Sequence, residues 1–504
     1  MQIKLLFFFL GFLFSCGLGS KSSNSVVMVS SNPSLESMLK LEPKFLGKKN
    51  GKLLLQSPTL SELEWLSLNA HSPGQMCGAM QYRKLTDDIV TPDPLILPLY
   101  APYYKLSAVD DMVQSVDESN AVATVEAMVA KMTRHHNEAT GQETTTFIRE
   151  QIEAAKQSLD VTIEEIDHSD YLAGMKQKSL VVRLAGDTEE TLVFGAHMDS
   201  IFRSRFETDQ SIAPGADDDA SGVATLLEIF RVIADRNLSF TRAIEFHFYA
   251  AEEIGLIGSG DIAQVYREQG RKIGAMVQFD MTGYSPDGSS QTIYFPDNDT
   301  SINLRRFGKD LLNTYLDGDF GEGTIVGGTS DHASFAAEGF ETLFPFEHPV
   351  NFNKNLHTAE DTLANLNNPK QMVRFSAFGL AYAAHFAGLT SAKDEFAAAA
   401  KEASPVDLSD ELFVAVVQDE VQGYQFSVSV PDSAESVEVC LTEQSQSQGC
   451  QFHLLDLEAA GEKNGRRLFT GLWPDLQSGS SVRIIAYDES DRWSAARNVT
   501  VKSK

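Results

Sequence analysis

The chain has 504 residues, with 70 Asp and Glu against 41 Lys and Arg, a formal charge of −29. That balance excludes nucleic-acid binding, which needs clustered cations for phosphate, and 42% hydrophobic content excludes a disordered chain. Four cysteines are too few for a disulfide scaffold or a Cys-rich zinc module, and the length suggests about three domains at roughly 150 residues each.

Lys4 is followed by ten apolar or glycine residues, 5–14, and then by Ser15, Cys16, Gly17 and Gly19. A positive start, a short apolar stretch and small residues make a signal peptide over residues 1–19, too short to span a membrane. No other run approaches about 18 apolar residues, so no transmembrane helix is expected. The expectation is an exported protein of a bacterium: secreted, periplasmic or an outer-membrane lipoprotein. Leu13-Phe14-Ser15-Cys16 resembles a lipobox, which would put a lipid anchor on Cys16. Phe14 is bulkier than that pattern favours, and cleavage with release is the alternative. Export also makes a disulfide between Cys440 and Cys450 across a polar turn plausible, with Cys77 left as a free or buried thiol.

Residues 20–90 show no clustering of chemistry-bearing side chains. Thr91-Pro92-Asp93-Pro94, Pro98 and Pro102 read as an extended linker, because proline fixes φ and removes a donor. From 107 to 390 short apolar runs (180–184, 192–196, 243–250, 275–279) alternate with helical stretches such as 144–155 and 220–233. In the latter, Val223, Leu226, Leu227, Phe230 and Ile233 recur at helical spacing. Buried strands alternating with helices indicate an α/β sheet, partly parallel. Residues 397–402 look like a last helix, inside a linker over 391–404. Beyond Pro405, short β-type runs at 426–430, 437–440 and 482–486 suggest a separate β-sandwich over 405–504.

Polar residues at the ends of the apolar runs carry the chemistry. His197 and Asp199 close one run, on one face of an extended segment, so that Asp199 can hold the second ring nitrogen of His197. A core or surface histidine is the plainer reading of that pair. Asp217-Asp218-Asp219 opens a helix. One Asp there is an ordinary cap, but three adjacent carboxylates repel unless a cation intervenes. Glu252-Glu253 and Asp280 each follow a hydrophobic strand, and His357 precedes Asp361 by four residues. Two adjacent acids after a strand are equally consistent with solvation. Open α/β sheets bind ligands outside the carboxyl ends of their strands, so one crevice can collect these groups. Two histidines with several carboxylates and no cysteine suit a two-metal site of zinc, with cobalt or manganese as alternatives.

At these residues the chain resembles the bacterial leucyl aminopeptidase family of co-catalytic zinc exopeptidases, which includes the relatives of aminopeptidase Y. The matching pieces are Gly195-Ala-His197-Met-Asp199-Ser200, residues 213–222 around Asp218, Ala250-Ala-Glu252-Glu253, Asp280-Met-Thr282, Ser330-Asp-His332 and His357-Thr-x-x-Asp361-Thr362, in the family's order. The resemblance implies two Zn²⁺ per chain. Asp218 would bridge them, His197 and Asp280 would complete one site, and Glu253 and His357 the other. It further implies Glu252 as general base and acid for attack of a metal-bound hydroxide, Asp199 orienting His197, and Asp361 supporting His357 in a similar way. The implied fold is a mixed, largely parallel sheet of about eight strands flanked by helices over residues 107–390. Residues 20–106 would be a pro-segment and linker, and 405–504 an accessory β-sandwich.

The implied substrates are peptides with a free N-terminus, cleaved by a monomer. Met281, Phe335, Phe344, Phe346 and Leu356 are candidates for a hydrophobic side-chain pocket, with core packing as the plainer reading. One departure stands out: related aminopeptidases carry a Cys-bounded loop with a tyrosine before Ser-Asp-His, whereas this chain has Ile325-Val-Gly-Gly-Thr329. A carboxypeptidase or glutaminyl cyclase on the same scaffold is the alternative within enzymes, although Arg and Lys are sparse around the motifs. A non-catalytic binding protein of this fold is the alternative outside them. His332 is expected near substrate or in a supporting role, and His135-His136 on the solvated surface.

Overall fold

The computed structural model describes residues 104–203 and 209–402 without a break, stretches of residues 25–102, and the backbone of strands between residues 413 and 500. The expected leader at 1–19, Cys16 and Cys77 lie outside the described residues, as do the side chains of Cys440 and Cys450. Among the described residues no helix is long and apolar enough to cross a membrane.

The N-terminal portion contains β1 (Ser25–Ser30), β2 (Phe45–Lys49), β3 (Lys52–Gln56), helix α1 (Leu60–Ala70) and β4 (Met80–Lys84). The strands form an antiparallel sheet in the order β2-β3-β1-β4. The body begins with α2 (Ser107–Val113), α3 (Glu118–Val129), α4 (Ala139–Ala155), β5 (Val161–Ile166), β6 (Ser179–Leu184) and β7 (Thr188–His197). It continues with α5 (Ala220–Asp235), β8 (Arg242–Tyr249), α6 (Ile257–Glu268), β9 (Ile273–Gln278), β10 (Ile293–Pro296) and α7 (Ile302–Tyr315). The last elements of the body are β11 (Phe320–Gly323), α8 (His332–Ala337), β12 (Thr342–Leu343), α9 (Pro369–Ala383) and α10 (Lys393–Glu402), the last of which lies in the stretch expected to be a linker.

Six strands make the central sheet in the order β12-β9-β7-β8-β6-β5. The pairs β12/β9, β9/β7 and β7/β8 are parallel, while β8/β6 and β6/β5 are antiparallel. The expected number was about eight. The parallel pair β10/β11 supplies the other two, joined to the sheet by the antiparallel bridge between Tyr294 and Phe346, just past β12.

The middle strands are buried on both faces because helices cover both. Phe194, Phe246 and Phe279 face a core shared with Phe230 of α5 and Tyr382 of α9. Val193, Tyr249 and Met276 face the opposite core with Phe335 of α8. Strand β8 alternates sharply: Glu245 and His247 occupy that second face, fully buried, and the Glu245 carboxylate is met by Arg183, Arg271, Tyr266 and His247. Between Phe413 and Thr500, seven strands pair antiparallel in one continuous sheet, with the short hairpin Ser445–Gln446/Gly449–Cys450 beside it.

Candidate metal centre

Strands β7, β8 and β9 run parallel, so their carboxyl ends open on one edge of the sheet. His197 is the last residue of β7. Glu252 and Glu253 form a three-ten turn with Ile254, separated from β8 by Ala250 and Ala251, and Asp280 is separated from β9 by Phe279. Asp217-Asp218-Asp219 leads into α5 from the same edge, and a loop brings His357 back to it.

Each expected ligand converges there. The Nε2 atom of His197 lies 3.0 Å from Oδ1 of Asp218 and 3.8 Å from Oδ1 of Asp280. The Nε2 atom of His357 lies 2.9 Å from Oδ2 of Asp218 and 3.3 Å from Oε2 of Glu253. Yet Nε2 of His197, both oxygens of Asp218, Glu252 and Asp280, and Oε1 of Glu253 are buried without a hydrogen-bond partner. Groups of this kind are costly to bury unless something pairs them. His197/Asp218/Asp280, Asp218/Glu253/His357 and His197/Glu252/Glu253 are each close enough to share a cation, with ligand atoms within 4.8 Å of one another. Oxygen and imidazole donors in this geometry fit zinc or a similar divalent ion.

The acids beside the ligands hold backbone. Asp219 caps α5 through Gly222 N–H at 2.8 Å and also accepts from His197 N–H at 3.1 Å and Met281 N–H at 3.3 Å, tying strand ends to helix start. Gly222 is required there, because a Cβ would stand 2.2 Å from the Phe279 carbonyl. Asp217 accepts from Gly283 N–H and from the Asn353 amide, both at 3.0 Å.

Asp199 faces Nδ1 of His197 as expected, with its carbonyl oxygen at 3.2 Å and its carboxylate at 3.6 Å. The carboxylate also accepts from Glu252 N–H at 3.0 Å and Glu253 N–H at 3.2 Å, fixing the turn that carries both glutamates. The oxygens of Asp361 accept from Asp217 N–H at 3.0 Å and Asp218 N–H at 3.1 Å, while the group at Nδ1 of His357 is Nη1 of Arg203, at 3.1 Å.

Two buried arginines flank the centre, although the sequence around the motifs is poor in cations. Arg134 donates to the Met198 carbonyl at 3.0 Å, to the Gly215 carbonyl at 2.9 Å and to the Pro214 carbonyl, fixing the loop before the Asp triplet. Arg203 donates through Nη2 to Oε2 of Glu253 at 3.1 Å, and its Nη1 lies 3.1 Å from Nδ1 of His357. Long-range contacts of this sort leave no periodic trace in the sequence. His135 and His136 are buried rather than solvated, at 7% and 1% exposure: α4 packs so closely over them that a Cβ on Gly141 would meet the His135 carbonyl. His332 is also buried, its Nε2 3.0 Å from the Asn298 carbonyl and its ring 4.5 Å from that of Phe344.

Burial strains the ionisation of the cluster. It pushes Glu252 well above the usual carboxylate range, and Glu253, Asp331 and Asp280 add to this against His197. It drives Asp361 up to about 8, aided by Asp217. Burial opposes protonation of His197, but Asp199, Asp218 and Asp280 outweigh it and hold that imidazole well above its ordinary value. So many acids in one dry place call for added positive charge.

Met281, Phe344, Phe346 and Leu356 pack together with Ile325 and Phe352. Phe335 belongs to the core behind the sheet. In the loop that departs from related aminopeptidases, Ile325 is buried while Val326 is 92% exposed.

Residues 179–382 match the model of peptidase family M28. Leucine aminopeptidase 1 of Penicillium rubens is 32% identical over 288 residues, covering 54% of this chain and 72% of that protein. A probable leucine aminopeptidase of Arthroderma benhamiae is 29% identical over 336 residues, covering 64% and 87%. Among solved structures, the LapA aminopeptidase of Legionella pneumophila superposes with a TM-score of 0.60 at 25% identity, over 72% of this chain and 98% of that one. LapB of the same organism has the same TM-score at 24% identity, a likeness of fold.

Proposed function

The chain belongs to peptidase family M28, and from that premise we propose that it is a zinc-dependent aminopeptidase releasing N-terminal, hydrophobic residues from peptides. The observation that carries this is the convergence of His197, Asp218, Glu253, Asp280 and His357, in which the buried Nε2 of His197 and the carboxylate oxygens of Asp218 and Asp280 have no hydrogen-bond partner. His197, Asp218 and Asp280 would hold one Zn²⁺, and Asp218, Glu253 and His357 a second, with Co²⁺ or Mn²⁺ as substitutes. The bound pair supplies an acidified water and a polarised scissile carbonyl.

Glu252 lies beside both triplets with both oxygens unpartnered. It takes the proton of the attacking water and returns it to the leaving amine. Asp199 positions Glu252 and Glu253 by holding their backbone N–H groups. The surplus of carboxylates favours a free α-ammonium group, which restricts cleavage to the first residue. The apolar cluster around Met281 and Phe344, adjoining Asp280 and His357 in sequence, suits a hydrophobic first side chain, in keeping with the leucine aminopeptidase names of the relatives. Residues 1–19 serve export, with Cys16 as a lipidation point, and residues 405–504 form an accessory β-domain outside this chemistry.

The test is a panel of aminoacyl-arylamides, free or N-acetylated, with chelator and zinc add-back. Leucyl substrates are expected to be cleaved only with a free amine, and only with metal restored. Chelator-resistant cleavage, or cleavage of acetylated substrates, would overturn the proposal.

A further inference from the structure

Helix α1 reaches the metal centre from the N-terminal portion of the chain. Ser67, with no exposed surface, donates its hydroxyl to the Glu253 carbonyl at 2.7 Å and sits 3.5 Å from Nη2 of Arg203. That same Nη2 reaches the Glu253 carbonyl at 3.1 Å and Oε2 of Glu253 at 3.1 Å, while Nη1 faces His357. The backbone of Arg203 donates to the His357 carbonyl at 2.9 Å. One turn earlier on α1, Oε1 of Glu64 is 3.5 Å from Nε2 of His136.

The docking is also apolar. Leu63 and Leu66 of α1 share a core with Ala251, Ile254 and Ile257, the residues that bracket the Glu252–Glu253 turn. Tyr82 of β4 donates its backbone N–H to Gly255 at 3.0 Å. A segment designed to leave would expose this core and strip a hydrogen bond from the turn that carries a ligand.

Resting on the reading of the site as a metal centre, we infer that residues 25–84 are a resident part of the working protein rather than a pro-segment discarded from it, and that Ser67 is a positioning residue for the Asp218/Glu253/His357 ion site. Ser67 acts through Glu253 and Arg203 and touches no substrate. Supporting groups behind a ligand typically contribute about 10–100-fold in metal affinity.

Mass spectrometry of the mature, metal-loaded protein is expected to find residues 25–84 in one copy per catalytic body, joined or nicked. A fully loaded body without them overturns the inference. Chelator competition on metal-free Ser67→Ala is expected to show one ion bound about tenfold more weakly and the other bound as in the parent protein. Leu63→Ala, which loosens the same helix without touching Glu253, is expected to keep the parent ratio of the two affinities. Unchanged affinities in Ser67→Ala, or an equal change of ratio in Leu63→Ala, refute the role of Ser67. These measurements use no peptide substrate. A protein that binds both ions but cleaves nothing would sink the aminopeptidase reading and leave this one standing.

Discussion

Asp218 offers Oδ1 to His197 at 3.0 Å and Oδ2 to His357 at 2.9 Å, so a single carboxylate faces both halves of the centre. A bridging group can be neutralised but not replaced by an amide, whose nitrogen presents hydrogens where a cation needs a lone pair. Asp218→Asn is therefore expected to lower metal content below two ions per chain. It should also cut kcat/KM by more than the roughly 10–100-fold typical of a supporting residue. Metal analysis and steady-state rates on one preparation check this, and a variant with two ions and parental activity would remove Asp218 from the bridge.

Glu252 is the complementary case. It lies at the centre but outside the two triplets assigned to the ions, and Asp199 holds its backbone in place whatever the side chain carries. Glu252→Gln is expected to retain metal and to lose roughly 10²–10⁴-fold in kcat. Loss of metal together with activity would make Glu252 a ligand rather than a proton carrier.

Much of this centre was legible because strand ends announce themselves. His197, Glu252, Glu253 and Asp280 each follow an apolar run, and the parallel pairing of β7, β8 and β9 brings them to one edge. Asp218 was visible as an excess of charge at a helix start. His357 has no such marker: it sits on a loop, and only its spacing from Asp361 and the resemblance point to it. The arginines were not legible, since Arg134 meets Met198 and Gly215 across 64 and 81 residues and a lone buried cation has no period. The backbone partners of Asp199 and Asp361 were not legible either: both carboxylates accept from backbone amides, a partner that every residue offers and no side-chain pattern reveals. Four of the six strands of the sheet, β6 to β9, followed from their apolar runs, whereas β5, half exposed, and the two-residue β12 offered none. The outer pair β10/β11 attaches through one bridge and left little pattern.

Arg134 carries a prediction of its own. Its guanidinium is fully buried. Burial lowers its pKa, while Asp361, Asp219, Asp199 and Asp218 oppose that and favour the charge. Arg134→Met leaves the carbonyls of Met198, Pro214 and Gly215 without their donors and several acids without a counter-charge. It is expected to cost about 3–5 kcal/mol of stability. Arg134→Lys keeps the charge but loses the fork geometry, and should fall between Met and the parent. Denaturant titration checks the order, and a Met variant as stable as the parent contradicts the role.

His136 links stability to acid. Burial, followed by the neighbouring His135, lowers its pKa to about 3 against an unfolded value near 6.5. The fold thus holds the ring neutral while the unfolded chain takes up a proton below pH 6.5. The stability this contributes is fully present above about pH 6.5 and is lost as pH falls towards 3, by at most about 1.4 kcal/mol per unit. The ion-ligand histidines titrate too, so the informative quantity is the difference between parent and His136→Gln, both metal-free. Between pH 6.5 and 5 the parent is expected to lose up to about 2 kcal/mol more than the variant. Parallel stability curves across that window would show that His136 is protonated in the fold, and that the nearby Glu64 carboxylate, 3.5 Å from its Nε2, outweighs burial.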